Sequence, residues 1–332
     1  MNLTTELQAA IGEEIAAMGV AHRDLATAAA ALSRRYRSPE PGRGPSWTDP
    51  RIAAYLAARL PATWSAAATA LSAVAAARPT LRPRTLLDVG GGPGTVLWAA
   101  ARVWPGLEQL TVVERDPRMR AAGRRLAQRA PHPAVRDALW VAADIAEAGW
   151  EEPSDVVVVA YVLGELPPAA RVALVSRLIS SAGVLVVVEP GTPEGAARVL
   201  AARDAALGAG GHTVAPCPHD APCPLATPDW CHFAARVNRT KLHRQLKGGQ
   251  APYEDEKLSY GAWTREPMER HGDGTVPARV LRHPRSEPGR ILLTLCTTSG
   301  VVTEAVAARD RLAFRAARKV SWGGTWPPAP DR

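Results

Sequence analysis

Apolar positions in the first part of the chain recur at helical intervals. Leu7, Ile11 and Ile15 fall four residues apart, Asp24 stands where it can cap a run through Leu32, and the stretch from Ile52 to Ala77 is dense in Ala and Leu. Spacing of this kind keeps apolar side chains on one face of a helix, so residues 1–80 are expected to form an N-terminal helical region. Residues 38–50 gather Pro, Gly and Ser and predict a loop. From Thr85 the pattern changes to short, continuous apolar runs separated by helical ones. Strands are expected at Thr85 to Val89, Gln109 to Glu114, Leu139 to Ala143, Ser154 to Tyr161 and Gly183 to Glu189. Such runs are buried on both faces, as in a parallel sheet with crossover helices, and the predicted fold class is α/β, a doubly wound Rossmann-like sheet.

The alternation stops at Gly191. Residues 192–290 are dense in Pro, Gly, His, Cys and charge and read as an insertion, after which Ile291 to Thr297 and Leu312 to Val320 read as strands that close the core. The predicted organisation is a helical region over 1–80, a nucleotide-type core over 81–191, a cysteine-rich and basic insertion over 192–290, and closing strands over 291–332.

Composition narrows the class. A chain of 332 residues that is 46% hydrophobic can bury one large core or two modest ones, which excludes a collagenous or wholly disordered protein. A net charge of +8 and a pI near 9.8 favour an acidic partner such as nucleic acid, although a generally arginine-rich proteome produces the same balance. The first twenty residues hold Glu6, Glu13 and Glu14 and no apolar core of export type. The runs Val156 to Leu163 and Val184 to Val188 are well short of the ~20 residues of a membrane helix. A cytoplasmic protein without a membrane span is expected, and in a reducing compartment its four cysteines are ligands or buried thiols rather than a disulfide framework.

The run Leu86-Leu87-Asp88-Val89-Gly90-Gly91-Gly92-Pro93-Gly94-Thr95 follows a predicted strand and opens a predicted helix. Glycines at alternate positions behind an acid let the chain turn tightly and let a ligand approach the backbone. A structural turn can look the same. Glu114 ends the next strand, where a carboxylate can accept two ribose hydroxyls, and Asp144 follows the third strand. Together Asp88, Gly90, Gly92, Gly94, Glu114 and Asp144 resemble the S-adenosylmethionine methyltransferase fingerprint, whereas Thr95 stands where a dinucleotide motif needs its third glycine. The fourth strand ends in Tyr161-Val162-Leu163-Gly164-Glu165-Leu166-Pro167 with no Asn-Pro-Pro-Tyr motif, so no catalytic residue is assigned. Glu165 fits a base or, more simply, a favourable partner of a helix dipole.

Three cysteines, Cys217, Cys223 and Cys231, fall within fifteen residues, and Cys296 lies in a predicted strand. Four thiolates are a soft, closed ligand set that suits zinc or an iron-sulfur cube. With His219 and His232 close by, a mixed Cys/His zinc site competes, and inert buried thiols are a third reading. Between Cys231 and Pro252, the residues Arg236, Arg239, Lys241, Arg244 and Lys247 form a basic stretch that fits nucleic-acid phosphate or a solvated helix face equally well.

The strings from Cys217 to Leu225, from Trp230 to Phe233, from Pro252 to Tyr260 and from Trp322 to Pro327 carry a family resemblance. Over roughly residues 45–326 the chain resembles the mitochondrial small-ribosomal-subunit assembly family typified by methyltransferase-like protein 17, together with its bacterial relatives. That resemblance implies a 4Fe-4S cluster on Cys217, Cys223, Cys231 and Cys296, with zinc as the alternative, and a role in assembling the small ribosomal subunit by contact with its ribosomal RNA. A protein that is monomeric off the ribosome is expected. Two competing functions stand beside this one: an active ribosomal RNA methyltransferase, and a small-molecule methyltransferase with a structural zinc.

Overall fold

A computed structural model describes residues 3–37, 46–225, 228–267 and 276–328, the side chains of 35–37 and 247 excepted. Residues 38–45 of the predicted loop lie outside the described residues. Four helices lead the chain: α1 (Thr5–Ala17), α2 (His22–Arg37), α3 (Asp49–Ala58) and α4 (Leu60–Ala77). The Thr4 hydroxyl caps α1 by accepting from the Leu7 N–H at 3.2 Å. Helix α4 has the length and apolarity of a membrane span, but 67% of it is buried inside the protein, with Trp64 and Leu71 fully enclosed. It is a core helix.

The sheet domain follows as β1 (Thr85–Val89), α5 (Thr95–Val103), β2 (Gln109–Val113), α6 (Pro117–Ala127), α7 (Pro133–Arg136), β3 (Leu139–Val141) and β4 (Ser154–Ala160). A 3-10 turn at Leu163–Glu165 leads to α8 (Pro168–Ser181), β5 (Ala182–Pro190), α9 (Pro193–Gly208), β6 (His212–Ala215), β7 (Phe233–Asn238), α10 (Lys241–Lys247) and β8 (Tyr253–Thr264). The strand order is β3-β2-β1-β4-β5-β8-β6, with β7 also paired to β8. Strands β1 to β5 are mutually parallel, and β8 runs antiparallel to β5, β6 and β7.

Valine runs explain why this sheet is two-sided. Val156, Val158, Val184, Val186 and Val188 join the core formed with α1, α4, α5 and α6, while Val157, Val159, Leu185 and Val187 join the core under α8 and α9. Successive side chains of a strand point to opposite faces, so a continuous apolar run fills both layers at once. The order reverses between β1 and β4. Their following loops diverge, and a crevice opens at the carboxyl ends of the strands.

A second, five-stranded antiparallel sheet contains β9 (Ala278–Val280), β10 (Arg285–Glu287), β11 (Arg290–Thr297), β12 (Gly300–Ala307) and β13 (Thr325–Trp326), with helix α11 (Arg311–Ala317) packed on β11 and β12. It has its own small core around Val280, Leu293, Leu295 and Trp326. Two expectations are corrected here. The first sheet is completed by β6, β7 and β8, from within the segment read as an insertion, whereas the predicted closing strand Ile291 to Thr297 belongs to the second sheet. The predicted strand Leu312 to Val320 is instead a helix through Ala317 followed by a turn, because Ala313, Phe314, Ala316 and Ala317 pack on the second core together with Val320 and Asp310 caps the first turn.

Candidate functional site

The glycine run turns between β1 and α5. Gly90 has φ 68° and Gly92 φ 55°, and a side chain at 90 would stand 2.8 Å from Val162 Cγ2. Both positions therefore need glycine for the left-handed backbone, and position 90 also for the close approach of the β4 loop. Glu114, at the end of β2, accepts from the Gly92 N–H at 3.0 Å and from the Asp116 N–H at 2.7 Å, which ties the two strand ends together. A cavity of about 760 Å³ opens above them. Asp88, Gly90, Gly92 and Glu114 line it, as do Trp47, Tyr55, Arg59 and Thr63 from the helical region.

Asp88 is fully buried, and neither carboxylate oxygen has a hydrogen-bond partner among the described residues. Burial, and secondarily the charge of Glu114, push its carboxyl up to about 8. Burial also raises Glu114, against the lowering effect of its two backbone donors. A buried carboxyl left unsatisfied is costly unless something enters the cavity to meet it, and a cationic group serves best. Gly94 begins α5 and Asp144 sits to one side; neither lines the cavity. Asp144 accepts from the Ala146 N–H at 2.9 Å and lies 3.1 Å from Arg115, contacts that hold it below the usual carboxylate range.

The end of the fourth strand also reaches the cavity. Tyr161, at the end of β4, holds φ 59° in the left-handed region, a strained place for a residue with a Cβ. Its hydroxyl donates to Glu256 Oε1 at 3.3 Å, and Glu256 lies 3.5 Å from Arg59. Burial, then the Glu256 charge, raise the Tyr161 phenol well above its ordinary value. Glu165 closes a 3-10 turn, and lies 3.8 Å from Arg115.

The cysteines form a second pocket. Cys217, Cys223 and Cys231 come from the segment between β6 and β7, Cys296 from β11, and all four line one small, mostly apolar cavity with His219. His219 Nε2 stands 3.8 Å from Cys296 Sγ. Two arginines hold the loop: Arg203 donates to the carbonyls of His219 and Ala221, and Arg279 to those of Pro216 and Gly323. Burial raises the Cys217 thiol, burial and the other three thiols raise Cys231 well above its ordinary value, and burial with the neighbouring thiols pushes Cys296 up to about 12. Among the described residues, no three His, Cys, Asp or Glu side chains are drawn together tightly enough to hold a metal ion as they stand. The donor set still fits a thiophilic centre, because four soft ligands face one space from which carboxylates are absent among the lining residues.

The basic stretch is not one helix. Arg236 lies on β7, opposite Asp255 of β8, and donates to it at 3.1 Å while its guanidinium stacks 4.1 Å from the Tyr253 ring centre. Arg239 forms a two-nitrogen pair with Glu254, and His243 is fully buried 3.3 Å from the same carboxylate. Lys241 is exposed, Arg244 donates to the Arg239 carbonyl at 3.0 Å, and the Lys247 side chain lies outside the described residues. Acids of the Pro252 to Tyr260 string thus face Arg236 and Arg239, a cross-strand pairing invisible without the register.

With this geometry in view, comparison with known proteins is informative. The family described as "Mitochondrial small ribosomal subunit Rsm22" matches residues 50–327. The ribosome assembly protein METTL17, mitochondrial, of Homo sapiens is 30% identical over 305 residues, covering 85% of this chain and 64% of its own length. Rsm22-cox11 tandem protein 2, mitochondrial, of Schizosaccharomyces pombe is 22% identical over 84% of this chain and 43% of its own length. The chain therefore spans about half to two thirds of the length of these curated relatives. Among solved structures, the magnesium protoporphyrin IX methyltransferase of Synechocystis PCC 6803 overlays with TM-score 0.40 at 13% identity, covering 70% of this chain and 90% of that one. Precorrin-6y C5,15-methyltransferase of Geobacter metallireducens gives TM-score 0.40 at 16% identity, covering 60% and 86%. The expectation of a cytoplasmic protein is corrected by the sequence matches, since the family and these relatives are mitochondrial and point to the mitochondrion. The acid-bearing N-terminal residues on which it rested do not decide the address. The chain belongs to the Rsm22 family, whose match runs through both sheets.

Proposed function

We propose that this chain is a methyltransferase-like protein that binds S-adenosylmethionine at the glycine loop, carries a 4Fe-4S cluster on Cys217, Cys223, Cys231 and Cys296, and acts in small-ribosomal-subunit assembly through contact with ribosomal RNA. The observation that carries the reading is the convergence on one pocket of three cysteines from the loop between β6 and β7 and a fourth from β11 of the second sheet, in a chain that also has a nucleotide-type crevice. In the crevice Glu114 accepts the ribose hydroxyls, the glycine loop admits the methionine end without a Cβ in its way, and the Asp88 carboxyl meets the ligand's positive charge. A cluster, when bound, supplies a cationic centre that thiolates can share. The cysteines then join the segment between β6 and β7 to β11, so the second sheet is held against the first. The family and the human relative named a ribosome assembly protein support the ribosomal part of the reading.

Anaerobic purification followed by a visible spectrum and iron and sulfide counts tests it. About four irons per chain with broad absorption near ~400 nm is the expected result. Zinc in place of iron, or no metal, would remove the cluster from the account and leave only the crevice.

A second reading, an active ribosomal RNA methyltransferase, is favoured by one feature. Tyr161 is held in a strained conformation inside the crevice, and strain of this kind gathers at functional sites. A methyl-sized mass difference in ribosomal RNA between wild-type and deletion strains separates catalysis from binding alone.

A further inference from the structure

Arginines of the first sheet and its helices mostly meet carboxylates. Arg125 lies 2.7 Å from Glu14, Arg177 2.7 Å from Glu151 and Arg198 2.6 Å from Glu189. Around α11 the pattern is reversed. Arg309, Arg311, Arg315, Arg318 and Lys319 are all exposed, and none has an ion-pair partner among the described residues. The acids nearby are occupied: Asp310 caps α11 through the Ala313 N–H at 3.1 Å, Glu304 accepts from Trp326 Nε1 at 2.9 Å, and Glu287 pairs with Arg290 at 2.7 Å.

Helical geometry concentrates this charge. At about 100° per residue, positions 311, 315, 318 and 319 fall within one quadrant or so of the helix surface, opposite the face that Ala313, Phe314, Ala316 and Ala317 bury on the second core. Arg311 and Arg315 stand about 6 Å apart along the axis, so two guanidinium groups can engage one backbone together. Leu312 beside them is 84% exposed, and Val301 and Val302 on the neighbouring strand β12 are 39% and 41% exposed. A helix face that served only solubility would not gain from the exposed Leu312.

We infer that the outer face of α11 is a phosphate-binding surface for RNA, with Arg311, Arg315 and Arg318 as its principal contacts. The inference rests on the ribosomal reading above and shifts its RNA contact away from Arg236 and Arg239, which β8 already neutralises. Arginine dominates the face, and its planar fork matches phosphate oxygens in pairs. Every contact of this type releases counterions and leaves a signature in the salt dependence of binding.

The test uses the full chain and a transcript of small-subunit ribosomal RNA, with affinity measured across a salt series. Two triple variants of equal charge change are compared: Arg311→Ala/Arg315→Ala/Arg318→Ala, and a control, Arg23→Ala/Arg82→Ala/Arg102→Ala, on exposed positions elsewhere. The α11 variant is expected to bind at least about tenfold more weakly and to lower the log-log salt slope by about 2 to 3, while the control changes affinity by less than about threefold. Equal losses in the two triples, or no loss in the α11 triple, would overturn the inference while leaving the ribosomal reading in place. Wild-type protein that fails to bind the transcript at all would overturn both. Binding to poly-glutamate that falls in the α11 variant while RNA binding stays intact would assign the face to an acidic protein instead, against the inference. All three positions are exposed, so an unchanged thermal midpoint confirms that the variant is folded.

Discussion

The two pockets of this molecule are built on opposite principles. The glycine-loop crevice is wide and polar, and its floor is formed by neighbours in sequence, because β1, its turn and the end of β2 lie within about thirty residues and pack side by side in parallel. The cysteine pocket is small, lined by thiols and arginine-braced loop, and requires two separate sheets to meet. The first is shaped before its ligand arrives. The second brings together buried thiols, which burial and their neighbours hold in the neutral form. A fold can thus specify one site by local backbone geometry and the other only by long-range assembly.

The sharpest way to separate them is Cys296→Ser. Iron per chain is expected to fall from about four to near zero, while S-adenosylmethionine affinity stays within about twofold; a parallel loss of both would show that the pockets are one cooperative unit. Gly91→Ala attacks the other side, since a Cβ there presses into the Asp88 carboxylate and Val112. It should weaken S-adenosylmethionine binding by more than about 100-fold in calorimetry without changing iron content. Glu114→Gln removes the charge but keeps the shape, and a loss of roughly 10- to 100-fold is expected, the size of a charge-assisted hydrogen bond.

The smallest effect is one of protons. With its carboxyl near 8 in the fold and near 3.8 in an unfolded chain, Asp88 keeps its proton when folded and gives it up when unfolded. Its contribution to stability is therefore lost as pH rises from about 4 to about 8. A cationic ligand favours the ionised form, so binding at pH 7 should release up to about one proton, read from calorimetry in buffers of different ionisation heat. Asp88→Asn should release none and should flatten the decline of stability with pH.

Much of the first sheet was legible because it is written locally. Five apolar runs became five parallel strands, and the glycine run with Glu114 marked the crevice, since both depend on residues a few positions apart. The far wall of the crevice was not legible. Tyr55 lies on α3 and Arg59 at the junction of α3 and α4, neither in a distinctive motif, and only the packing of the helical region onto the rest of the fold brings them to the cavity. The error over Leu312 to Val320 has the same origin. Its alanines and apolar residues suit either a strand or a helix, and the burial of Phe314 and Ala317 on the second core decides between them. Arg236 and Arg239 looked free because their acids lie on the partner strand, in a register that no linear reading reveals.

The position of Cys296 on β11 also sets an order in time. A ribosome making this chain releases the first three cysteines well before the fourth, and releases the whole of the glycine-loop crevice before either sheet can close on the other. A nascent or truncated chain ending before β11 would hold the crevice residues with three of the four thiols. The cysteine pocket gains its fourth thiol only when β11 has emerged, with β12, α11 and β13 of the same sheet region still to follow.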